Sequence, residues 1–112
     1  MRRLRAFNFG YMTKYRILIV GSCLIVYKRT KDKYQKWLFR AILKDDTDKY
    51  YEFASLELED ADVRIFDISN CVNKNMTLII HDKKIVSTLK FKVVKHYNKY
   101  WIVLNDNENQ EI

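Results

Sequence analysis

Proline is absent from this chain, and glycine occurs only twice, at Gly10 and Gly21. Turns must therefore be made by Asn, Asp and Lys, whose side chains bond locally or tolerate tight backbone geometry. Cysteine is nearly as scarce. Cys23 and Cys71 do not make a disulfide framework, and the expectation is two free thiols in a reducing compartment, with a single Cys23–Cys71 bridge as the alternative. Neither Cys-x-x-Cys nor His-x-x-x-His spacing occurs, so no metal site and no cofactor are expected. Glycine-rich phosphate loops, nucleophile elbows and paired-carboxylate motifs are missing too, which argues against an enzyme.

A long apolar run is the next absence. The longest uncharged stretch, residues 17–27, is bounded by Arg16 and Lys28, and its apolar run, 17–26, is about half of the roughly 20 residues a membrane helix needs. Lys14 and Arg16 also leave too short a core for a secretory signal ending at Gly21-Ser22-Cys23. The expected location is cytoplasmic. Ile and Val fill both halves of the run and no polar face interrupts it, which predicts strand buried on both faces. Gly21-Ser22 then either closes a two-residue type II′ hairpin or bends one long strand as a glycine bulge.

What is present is a folded composition. The chain has 112 residues, of which 48% are hydrophobic and 14% aromatic, enough for one domain with its own core. Three parts are expected: a flexible basic and aromatic arm at 1–11, a single β-rich domain at 12–104, and an acidic tail at 105–112. Met12 offers a second start, which would make the arm dispensable. Period-two alternation recurs through most of the domain. Trp37, Phe39, Ala41 and Leu43 share one strand face, with Lys36, Arg40 and Lys44 on the other. Residues 76–81 and 85–94 form a hairpin across Asp82-Lys83-Lys84, and residues 100–104 are the last strand. Between residues 50 and 58 the apolar phase shifts, as a bulge near Ala54-Ser55 or a short helical turn would cause. Residues 57–62 are acidic and expected on the surface. The fold class predicted is mainly β, a small antiparallel barrel or sandwich of seven or eight strands, the alternative being α+β with a short helix near 54–62.

Charge is distributed in blocks. Residues 1–44 carry 12 cations and 1 anion, residues 45–70 carry 2 and 9, residues 71–104 carry 7 and 1, and the tail adds three acids, for a total of +7. Lysines two apart on a strand point the same way, so the basic blocks can track a phosphate backbone while aromatic rings offer stacking surfaces. The residues expected to do so are Arg2, Arg3, Arg5, Lys36, Arg40, Lys44, Lys90, Lys92, Tyr97 and Tyr100. The leading expectation is a non-enzymatic module that binds nucleic acid. The runner-up is a protein-interaction module or inhibitor, homodimeric in one form, that uses edge strands and opposed charge faces. A small nuclease using His81 and His96 is a third class, disfavoured because the two lie at opposite ends of one predicted strand.

Overall fold

A computed structural model describes residues 2–10, 14–29, 39–58 and 60–104. The stretch at 17–26 folds as a hairpin: β3 (Tyr15–Val20) runs antiparallel to β4 (Cys23–Arg29), with Val20 opposite Cys23 across Gly21-Ser22. Gly21 has φ 57° and Ser22 is not among the residues of positive φ, as a type II′ turn requires. Ile17, Leu24 and Val26 are wholly buried.

Hairpins of this kind build two antiparallel sheets. The first has six strands in the order β1 (Arg2–Leu4), β11 (Lys99–Leu104), β10 (Ile85–His96), β9 (Asn75–Asp82), β5 (Arg40–Asp45) and β6 (Tyr50–Tyr51). The second has five, in the order β2 (Ala6–Phe9), β3, β4, β8 (Ala61–Asp67) and β7 (Phe53–Glu57). They stack as a sandwich, and the single short helix among the described residues is a 3-10 turn at Ser69–Cys71. No helix among the described residues is long and apolar enough to cross a membrane. Eleven strands are formed by the described residues where seven or eight were expected, because the segment expected as a flexible arm supplies β1 and β2 and the stretch 50–58, which read as one strand, divides into β6 and β7. The chain changes sheet at Arg5, between β1 and β2, and at Glu52, between β6 and β7. The phase shift in residues 50–58 is thus a sheet corner, and 54–57 is strand rather than helix.

The core lies between the sheets. Leu43, Leu78, Val93 and Ile102 from the first meet Ile17, Leu24, Val26 and Phe66 from the second, all fully buried. Each such side chain contributes on the order of 1.5–3 kcal/mol by leaving water. Cys71 is buried in this core, Cys23 is not, and both are free thiols.

Several expectations change at this level. The segment 2–9, expected as a loose arm, is paired: Arg2 to Leu4 lie opposite Leu104 to Ile102, and Ala6 to Phe9 lie opposite Leu18 to Tyr15. Asp62, expected on the surface, is 1% exposed, because strand alternation in β8 turns it inward. Lys28 also turns inward: it is 5% exposed and its Nζ lies 3.0 Å from Asp82 Oδ2. The Tyr15 hydroxyl donates to the same carboxylate. Lys28 therefore does not join Arg16 in a surface patch. Residues 34–38 and Glu59 lie outside the described residues.

Candidate nucleic-acid interface

Alternation on β5 and β10 settles which cations meet. Ala41 and Leu43 point into the core, so Arg40 and Lys44 point out; Leu89, Phe91 and Val93 point in, so Lys90 and Lys92 point out. β9 separates the two strands, and the register aligns them: Lys44 and Lys90 both lie opposite Thr77, while Lys92 lies opposite Asn75 on one side and Val103 on the other. Arg3 lies opposite Val103. Arg3, Arg40, Lys44, Lys90 and Lys92 thus share the outer face of the six-stranded sheet.

Among the described residues, no carboxylate projects from the strands of that face. Glu57 and Asp62 belong to β7 and β8 of the other sheet. The nearest acids are in the turn after β5, where Lys44 Nζ lies 3.4 Å from Asp48 Oδ1, with the two side chains 29% and 77% exposed. Such an exposed pair is worth about 0–1 kcal/mol and yields readily to a phosphate. Between these groups lies an open groove of about 570 Å³ lined by Lys44, Asp48, Asn75, Thr77, Lys90 and Lys92 among others. Its end is held by Asp45, whose Oδ1 accepts the Thr47 hydroxyl (2.7 Å), the Thr47 N–H (2.9 Å) and the Lys49 N–H (3.0 Å). The Tyr51 hydroxyl donates to Oδ2 at 3.1 Å. The Thr47 hydroxyl above all, aided by the other donors against the effect of burial, pulls the Asp45 carboxyl down to about 2.

The aromatic part of the face is not where the sequence placed it. Tyr100 lies opposite Lys95 on the core-facing side of the hairpin, packed against the core with the Lys95 ammonium 5.3 Å from its ring. Trp101, its neighbour, points outward beside Arg5, whose guanidinium lies 5.7 Å from the indole. Trp101 Nε1 and Arg5 Nε are buried donors with no hydrogen-bond partner among the described residues. Residues 100–104 are apolar at every position, and only the register with β10 reveals which of the two rings faces out. Tyr97 is 86% exposed at the tip of the β10–β11 hairpin, its ring 4.2 Å from that of His96. Its φ of 51° is one that bulky residues rarely adopt.

The remaining candidates separate. Arg2 pairs through its backbone with Leu104, its side chain lying outside what is described, and Lys36 lies outside the described residues altogether. His81 is opposite Val86, ten residues from His96 along β10, a span of about 33 Å in a straight strand. No group of three or more His, Cys, Asp or Glu among the described residues could hold a metal ion. Comparison with known family models, curated proteins and solved structures found no match to this chain.

Proposed function

We propose that this protein is a non-enzymatic module that binds single-stranded nucleic acid on the outer face of its six-stranded sheet. The reading is carried by one observation: cations from chain segments about fifty residues apart in sequence, Arg40 and Lys44 on β5 and Lys90 and Lys92 on β10, are drawn onto one face by the β9 register. Arg3 extends this row, and Arg5 with Trp101 supplies a cation and a stacking surface at its end. Phosphates neutralise the cations, and bases stack on Trp101 and Tyr97. The test is fluorescence anisotropy with single-stranded and duplex RNA and DNA oligomers at about 50 and 200 mM salt. Affinity is expected to fall steeply with salt, at about −0.7 per phosphate contact in log–log slope, and Arg40→Glu or Lys92→Glu is expected to weaken it and flatten that slope. Trp101→Ala is expected to cost about 1–3 kcal/mol of binding. Absence of binding at low salt would end this reading.

A second reading, self-association, is favoured by the outer face of the five-stranded sheet. Leu18, Ile25, Ile65 and Ala54 form one row there, and Tyr27, Val63 and Leu56 the next. Sheets of like twist stack face to face, and a second copy of this chain seated on the part of the face at Leu18, Ile25, Ala54 and Leu56 is the occupant this reading names; Val63 is already buried within the chain. Light scattering across a range of concentrations tests it, and a monomer at every concentration would exclude it.

A further inference from the structure

The same five-stranded sheet carries a second basic groove, at the corner of its outer face and on the opposite side of the sandwich from the surface just described. It is open, holds about 380 Å³, and is lined by Asn8, Lys14, Arg16, Leu18, Tyr27 and Arg29. The register explains why they converge. Asn8 lies opposite Arg16 and Arg16 opposite Tyr27, while Lys14 and Arg29 each stand one step beyond the adjoining pair, Tyr15 opposite Lys28. Three cations therefore surround one aromatic ring. No carboxylate is among the described residues that line the groove, in contrast to Lys44 with its Asp48. Clustered like charges on neighbouring strands destabilise a sheet, and an anion seated among them removes that cost. Lys14 also feels the field of Asp82 beneath it, which leaves Arg16 and Arg29 as the two forks best able to grip an anion through paired N–H donors.

We propose that this groove is a second binding site, for the phosphate of a nucleotide, with Arg16, Arg29 and Lys14 on the phosphate, the base against the Tyr27 ring and Leu18, and the Asn8 amide beside the sugar or base edge. The groove is of the size of small-ligand sites, and a planar base matches its one aromatic wall. The site is independent of the outer face of the other sheet, and a molecule using both would hold two nucleic-acid segments or one segment and a free nucleotide.

The experiment titrates adenosine monophosphate, inorganic phosphate and vesicles bearing phosphatidic acid into the full-length protein, followed by calorimetry or tyrosine fluorescence for the soluble ligands and by co-sedimentation for the vesicles. Adenosine monophosphate is expected to bind more tightly than inorganic phosphate. Arg16→Gln/Arg29→Gln is expected to reduce that binding at least tenfold, Tyr27→Leu to abolish the preference over inorganic phosphate, and Lys92→Glu to leave both unchanged. All these side chains except Tyr27 are exposed, and thermal unfolding of each variant verifies that it is folded. Failure of adenosine monophosphate to bind, binding indifferent to the two arginines, or capture of the vesicles in its place would overturn the assignment. Oligomer binding lost in Lys92→Glu but kept in the arginine variant would show the first surface standing while this site is judged by the nucleotide alone.

Discussion

Asp82 shows how much one buried carboxylate organises. Burial pushes its pKa up, but the Tyr15 hydroxyl and the Lys28 ammonium outweigh this and hold it below the usual range. Removing one member of a buried pair leaves a charge without compensation, so Asp82→Ala is expected to destabilise the fold by about 3–5 kcal/mol. The double change Lys28→Met/Asp82→Leu is expected to cost less than Asp82→Ala alone, and urea denaturation measures both. Asp45 gives the acid limb of stability. Its folded pKa of about 2 lies below the value of an unfolded aspartate, so its contribution is complete above about pH 4 and is lost as pH falls toward 2. The melting temperature is therefore expected to drop between those values. Asp45→Asn is expected to be less stable than the parent at neutral pH and to differ from it least near pH 2. At the alkaline end burial, then the bond to Asp82, raises Tyr15 above its ordinary 10. Stability is thus expected to decline as pH rises past that value, since the unfolded chain ionises first.

The hairpin is the element from which this molecule is made, and its turns differ in how plainly they are written. Gly21 at φ 57° with no atom within 4 Å of where a Cβ would stand is required for conformation alone. Gly21→Ala is expected to cost about 1–2 kcal/mol, read as a lower urea midpoint with an unchanged slope. The β10–β11 turn makes the opposite choice: Tyr97 and Asn98 both take positive φ, where glycine or asparagine would sit without strain. Tyr97→Gly is expected to stabilise the fold by about 1 kcal/mol and to weaken oligonucleotide binding, an exchange characteristic of strain kept for function. Legibility followed the same line. Gly21-Ser22 was readable as a break in the run, a hairpin turn or a glycine bulge, because glycine permits both, and the pairing of Val20 with Cys23 makes it the turn. The corner at Glu52 was not, since a break in alternation is the same whether the strand bulges, coils or crosses to another sheet.

Across the whole molecule, the first and last described strands meet: β1 pairs with β11, placing Arg2 opposite Leu104. A chain begun at Met12 would lack β1 and β2 and leave β11 and β3 with bare edges. It is expected to melt at lower temperature and to aggregate on concentration, which light scattering during a thermal ramp would register. The charge blocks are resolved at this scale too. The first and third, both basic, meet in one sheet through β5 and β10, while the acidic second block gives that sheet only the two-residue β6 and supplies β7 and β8 to the other, beside β2, β3 and β4 of the first block. A body of net charge +7 thereby acquires a strongly basic outer face on one side and, on the other, an apolar one cornered by Lys14, Arg16 and Arg29.

The sequence by itself determined that the chain is β, that its strands alternate, that residues 17–26 are its structural centre, and which residues of β5 and β10 share a face, because a period of two is a local property of the backbone. Only the tertiary structure decided that Lys28 and Asp62 are inside, that Trp101 rather than Tyr100 looks outward, and that the two basic blocks adjoin, because pairing register and sheet order join residues far apart in the chain. Residues 17–26 show the division most sharply. Their apolar pattern asked for burial on both faces, and the two-layer fold buries one in the core while the other becomes the floor beside the Arg16 and Arg29 groove.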